Sequence, residues 1–179
     1  PQVEARCRAG QTKDGLVGSE LGSKTVGIIG TGAIGLRTAQ LCKAFGCKVI
    51  ANAPHPKKEA EGIVEYVDLE TLLKESDIIS LHCPLNDSSR GLINKERIAL
   101  MKPTAIVINA ARGPVVDSQA LADALNEGRI AGAGIDVFEV EPPLDVNHPL
   151  LHSKNTIVTP HVAFASAESM EARCHIVFD

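Results

Sequence analysis

Aromatic residues are nearly missing from this chain: one Tyr, four Phe and no Trp, 3% of 179 positions. Proteins that grip single strands of nucleic acid stack bases on such rings, so that class has no platform here. A basic excess is missing too. The formal net charge is −4 and no stripe of Lys and Arg stands out, which removes the usual footprint for a phosphate backbone. No apolar run approaches the length needed to span a bilayer, and no signal-peptide pattern opens the chain. Cys7, Cys42, Cys47, Cys83 and Cys174 are odd in number and form no C-x-x-C pair, which argues against a disulfide or zinc framework. The histidines show no metal-ligand spacing, so no metal is assigned. What is left is an ordinary globular composition, 44% apolar and 22% charged, long enough for one domain with a full core. A reducing, cytoplasmic setting is expected, with no nucleic-acid or membrane partner.

The most informative stretch runs from Lys24 to Phe45. Thr25 to Ile29 is a short, partly β-branched apolar run, the pattern of a buried parallel strand. Gly30, Gly32 and Gly35 follow as G-x-G-x-x-G, and Ile34, Leu36, Ala39, Leu41, Cys42 and Phe45 then fall at roughly helical spacing. Strand, glycine turn and helix together describe a dinucleotide cradle. Gly30 permits the tight turn, Gly32 lets a pyrophosphate reach the backbone, and Gly35 lets the helix pack closely on the strand. The unpaired N–H groups of the first helical turn would face the phosphates.

Elsewhere the chain alternates. Pro1–Ser23 is polar and glycine-punctuated, and reads as a connecting segment leading in from a longer protein. Strands are expected at Lys48–Ala51, Ile63–Val67, Asp77–His82, Thr104–Asn109, Ile130–Val137 and Thr156–Thr159. Helices are expected at Leu69–Glu75 after Asp68, from Asn94 to about Met101, at Asp117–Glu127, and from Ser166 to a chain end that cuts it short. Such alternation implies an α/β domain built on a doubly wound parallel sheet, with residues 24–165 as a dinucleotide-binding domain. No internal repeat or low-complexity tract interrupts it.

In a sheet of that kind, ligands sit outside the carboxyl ends of the strands. Three strand ends carry chemistry: Arg112 after Thr104–Asn109, Glu139 and Glu141 after Ile130–Val137, and His161 after Thr156–Thr159. A guanidinium fork suits a carboxylate. An imidazole suits proton exchange near neutral pH, and a neighbouring Glu141 would favour its protonated form and fix the ring. With a nicotinamide bound alongside, these groups describe hydride transfer to or from a small 2-keto or 2-hydroxy acid.

The motifs Gly-Thr-Gly-Ala-Ile-Gly at 30–35, Leu-His-Cys-Pro-Leu at 81–85, Asn-Ala-Ala-Arg-Gly at 109–113, Asp-Val-Phe-Glu-Val-Glu-Pro at 136–142 and Thr-Pro-His-Val-Ala-Phe at 159–164 resemble the D-isomer-specific 2-hydroxyacid dehydrogenases. They occur in that family's order and spacing. The resemblance implies a Rossmann cofactor domain whose substrate domain is missing from this chain, with residues 166–179 as the start of a helix returning to it. It implies that Arg112 binds the substrate carboxylate and carbonyl, that His161 and Glu141 form the acid–base pair, and that Asp136 contacts the nicotinamide carboxamide. Gly30, Gly32, Ala33, Ile34 and Gly35 would hold the cofactor, with Cys83 and Pro84 on the adenosine side and Ala110 on the ring side, and His161 would also touch it. Relatives commonly dimerise through this domain, so a homodimer is expected. One departure bears on the cofactor: Ala53 stands where NAD-using relatives place an aspartate, and His55, Lys57 and Lys58 follow. Loss of that acid removes a repulsion against a 2′-phosphate. NAD is held slightly ahead of NADP. The same family includes corepressor-like regulators that sense the cofactor, the alternative to an enzyme.

Overall fold

The computed structural model describes residues 2–12, 14–140 and 144–178, with side chains described from residue 4 to residue 176 among them. Among these residues, seven strands form one all-parallel sheet: β1 (Thr25–Ile29), β2 (Lys48–Asn52), β3 (Glu65–Tyr66), β4 (Ile78–Leu81), β5 (Ile106–Asn109), β6 (Gly132–Ile135) and β7 (Thr156–Val158). The order across the sheet is β3-β2-β1-β4-β5-β6-β7. The chain builds outward from β1 to β3, then returns to lay β4 against β1. That reversal is the topological switch point, and it opens a crevice at the carboxyl ends of β1 and β4.

Helices α1 (Gln2–Arg8), α2 (Ala33–Ala44), α3 (Leu69–Glu75), α4 (Lys95–Ile98), α5 (Ser118–Asn126) and α6 (Ala167–Phe178) complete the described elements, with a few short 3-10 turns. Period-two alternation in the strands divides the core between two faces. Val26 and Ile28 join Ala39, Cys47, Val49 and Ala51 beneath α2. Ile29, Ile50, Leu72, Leu73, Ile79, Leu81, Val107, Leu121 and Leu125 fill the larger core on the opposite face. Side-chain caps start four helices: the Thr71 N–H donates to Asp68, the Arg97 N–H to Asn94, the Ala120 N–H to Asp117 and the Ser169 N–H to Ser166.

Several elements are shorter than their apolar runs. The strand expected at Ile63–Val67 pairs only at Glu65–Tyr66, and Ile130 and Val137 are buried outside the four paired residues of β6. Hydrophobic runs mark burial, which extends past the last ladder bond. The helix expected to reach Met101 ends at Ile98 and passes into turns. Within Pro1–Ser23, α1 is a helix that the polar composition concealed, and its Arg8 pairs with Glu4 one turn earlier. On α2 the buried residues are Gly35 and Ala39, with Cys42 packed beside them. Ile34 and Phe45 point outward, 74% and 66% exposed, and Leu41 lies with them. The side of α2 that meets the sheet is made of small residues, so its large apolar ones are displaced to the outside.

Candidate active site

The glycine turn joins β1 to α2 at the crevice. Gly30 has φ +97°, and a Cβ there would lie 2.7 Å from the Cys83 nitrogen, because β4 passes directly alongside. A Cβ on Gly35 would run into the Gly30 carbonyl oxygen. Gly32 differs: nothing lies within 4 Å of the place its Cβ would occupy. It caps α2 with extended backbone and no side-chain hydrogen bond, and the first turn carries no acid. Two of the three glycines are therefore required by packing, and the third keeps an approach open to uncapped N–H groups. That arrangement fits an anionic diphosphate.

A cavity of about 560 Å³ opens beside this turn, lined by Gly30, Gly32, Ala53, Cys83 and Pro84, with His55 and Lys57 on its wall. Tyr66 ties two of its lining residues together: its hydroxyl donates to Thr31 Oγ1 (2.9 Å) and accepts from the Lys57 N–H (3.1 Å). His82 is half-buried on the wall of the same cavity, with Nε2 2.9 Å from Ser80 Oγ. Burial pushes its pKa down, so the fold favours the neutral ring.

A second cavity of about 590 Å³ lies at the ends of β5, β6 and β7, and Ile34, Ala110, Arg112, Asp136, His161, Phe164 and Arg173 line it. The Arg112 loop is shaped by Asn109, which is buried, donates to the Arg112 carbonyl (3.0 Å) and accepts from the Ala111 N–H (3.0 Å). The His161 loop is shaped by Asp136. Its carboxylate accepts from Thr159 Oγ1 (2.5 Å) and from the Val162 and Ala163 N–H groups (2.9 Å each), while its carbonyl accepts the His161 N–H (2.8 Å). Burial alone would raise the Asp136 pKa, but the Thr159 hydroxyl and the two N–H donors outweigh it and hold the carboxyl low. His161 has φ +57°, uncommon for a side chain with a Cβ and held here by those bonds on either side. Its ring meets Phe164 edge-on at 5.7 Å between centroids.

Arg112 and His161, from different strands, thus share one cavity with Ile34, Ala110 and Asp136. Glu141 lies outside the described residues. Ala33 opens the first turn of α2, and Lys58, unlike His55 and Lys57, does not line the cavity beside the glycine turn. Glu139, the other acid of that strand end, is engaged elsewhere. It accepts from His148 Nε2 at 3.0 Å, and the same ring stands edge-on to Phe138 at 5.1 Å and caps the Leu150 N–H through Nδ1.

The model of the D-isomer specific 2-hydroxyacid dehydrogenase NAD binding domain matches residues 1–163. The chain belongs to the D-isomer-specific 2-hydroxyacid dehydrogenases. Within that family it is 49% identical to a hydroxypyruvate reductase of Thermotoga maritima over 158 residues, 88% of this chain and 51% of that protein. It is 48% identical to a glyoxylate reductase of Aeropyrum pernix over 166 residues, 92% of this chain and 49% of that protein. Among solved structures, D-lactate dehydrogenase with NAD+ from Lactobacillus jensenii superposes with a TM-score of 0.88 at 38% identity, covering 99% of this chain and 58% of that one. The chain spans about half the length of the curated relatives it matches. The residues matched are those of the family's NAD binding domain.

Four features of this family domain's site carry no signal in the sequence: the Tyr66–Thr31 bond, the Ser80–His82 pair, Thr159 on Asp136, and Arg173 on the cavity wall. The first three are single polar residues whose partners lie far away in sequence or alternate on one strand. Arg173 sits in a helix with no apolar face to orient it, and only the fold brings it to the cavity.

Proposed function

We propose that the protein carrying this chain is a nicotinamide-dependent oxidoreductase acting on small D-2-hydroxy acids and their 2-keto counterparts. The observation that carries this reading is the meeting of Arg112 and His161 in one cavity beside the glycine turn. Arg112 would take the substrate carboxylate through its planar fork. His161 would hold or accept the proton at the substrate's C2 oxygen, with Glu141 as its partner. Asp136 keeps the His161 loop in place and borders the ring side of the site, as does Ala110. Gly30, Gly32, Ala33, Ile34 and Gly35 would hold the diphosphate, and Ala53, Cys83 and Pro84 the adenosine. The nicotinamide supplies the hydride, and the protein supplies binding, orientation and proton exchange.

Residues 24–165 are the cofactor domain in this reading, flanked by a connecting segment and by a helix leading to a substrate domain. A homodimer is supported by the outward apolar residues of α2, and a reducing cytoplasm by the five cysteines, all of them free. NAD is the favoured cofactor.

The test is a steady-state panel of keto acids on the full-length enzyme with NADH. His161→Gln is expected to lower kcat by about 10²–10⁴ with the NADH dissociation constant unchanged, since general acid–base catalysis contributes about that much. Arg112→Met is expected to act chiefly on KM and kcat/KM. Full activity in His161→Gln would overturn the assignment. Cofactor binding with no turnover of any keto acid by the unaltered protein would favour the regulatory alternative.

A further inference from the structure

The cavity that holds Arg112 and His161 has a second guanidinium on its wall. Arg173, from α6, lines the same space. Its Cζ lies 5.6 Å from the centroid of the Phe164 ring, and that ring stands edge-on to His161. Phe164 thus connects the imidazole to the guanidinium, and a cation on its face is held in orientation by the ring as well as by its own stem. The described acid of the cavity, Asp136, has both carboxylate oxygens committed to Thr159, Val162 and Ala163. Among the described residues Arg173 forms no ion pair. One guanidinium more than a simple monocarboxylate needs is therefore present.

The chemistry of a 2-keto acid says what it could meet. C2 carries three substituents: the carboxylate, the carbonyl oxygen and C3. On the functional reading above, which this inference rests on, Arg112 takes the first and His161 the second. We propose that Arg173 determines specificity at the third, by donating hydrogen bonds to an oxygen-bearing substituent on C3, either a hydroxyl or a phosphate. A bare C3 methyl offers that guanidinium nothing to bind. A site with a donor waiting for an oxygen discriminates against the analogue that lacks it.

The experiment compares three substrates of the full-length enzyme with NADH: pyruvate (methyl at C3), hydroxypyruvate (hydroxyl) and 3-phosphohydroxypyruvate (phosphate). Wild type, Arg173→Met and Arg173→Lys are measured in parallel. The ratio of kcat/KM for the better oxygen-bearing substrate to that for pyruvate is expected to fall about tenfold or more in Arg173→Met, mainly through KM. Arg173→Lys should recover part of it. A larger loss on the phosphate than on the hydroxyl would identify the anionic substituent, and the reverse order the neutral one. An equal loss on all three substrates, or no change in the ratio, overturns the proposal while leaving hydride transfer intact. Failure of wild type to oxidise NADH with any of the three would instead overturn the functional reading beneath it.

Discussion

Asp136 is the residue on which the geometry of His161 depends most directly. A buried carboxylate is costly unless its lone pairs are used, and here a hydroxyl and two backbone N–H groups use them. Those bonds close the turn that carries His161 at positive φ, so a stability feature and a site feature are the same object. Replacing Thr159 by Val removes the hydroxyl at nearly constant volume. The expected cost is about 1.5–3 kcal/mol, the range for a hydrogen bond to a charged group, read as a lower midpoint in urea. The pH dependence has a defined sign. Asp136 titrates below its ordinary value in the fold, so its contribution is complete above the unfolded pKa of about 3.9 and is lost as pH falls through the lower folded value. The gap between wild type and Thr159→Val should therefore be constant from about pH 5 to 7 and narrow in more acidic solution. A gap independent of pH down to acid unfolding would show that the Thr159 hydroxyl does nothing for the charge. His82 adds to acid sensitivity in another window. Its neutral form is favoured by burial, so stability should begin to fall as pH drops below about 6.5, and His82→Gln should flatten that part of the profile.

At the scale of the element, the strand–turn–helix of β1 and α2 separates packing from binding within six residues. Gly35→Ala would put a methyl into the Gly30 carbonyl and force α2 away from β1. Overpacking of this kind costs about 1–3 kcal/mol. Gly32→Ala meets open space at φ −68°, so its effect on the denaturation midpoint should stay within about 0.5 kcal/mol. NADH affinity, measured by fluorescence titration, should nonetheless drop clearly, because the added methyl stands where the diphosphate approaches. Equal NADH affinity in Gly32→Ala and wild type would deny the open approach its purpose. This element was almost wholly legible in the sequence, since each glycine carries a distinct steric demand at a fixed offset from an apolar run. The helical face was not: Ile34, Leu41 and Phe45 have helical spacing but face outward. Spacing reports that a helix has sides, and the size of the residues at the contact decides which side the sheet accepts.

For the whole molecule, the parallel sheet followed from the alternation of strands and helices, and Arg112 and His161, singled out at strand ends, line one cavity. What did not follow were the ties across long sequence distances, such as Thr159 to Asp136 or Tyr66 to Thr31. A polar residue in an otherwise apolar run gives no sign of which partner it will find. Ile106 and Ile108 are partly and Ile157 largely open to solvent, because the described helices leave that face at β5–β7 uncovered. The two cavities flank the glycine turn along one sheet edge, so a ligand spanning them would bind the folded chain and not the unfolded one. At a concentration 100 times its dissociation constant, such a ligand adds about 2.7 kcal/mol, or about 5–11 °C in a domain of this size. Thermal melts with NADH and NADPH therefore read cofactor choice without any turnover. Ala53 lines the cavity and offers no charge, while His55 and Lys57 on the same wall could receive a 2′-phosphate. Wild type should be stabilised by both cofactors, with NADH ahead at equal concentration. Ala53→Asp restores an acid that can accept from the ribose hydroxyls and repel a 2′-phosphate, so it should keep or raise the NADH shift and abolish most of the NADPH shift. If Ala53→Asp left both shifts as they were, the adenosine ribose would have to lie elsewhere than at the end of β2, and the placement of the cofactor along this edge would fall with it.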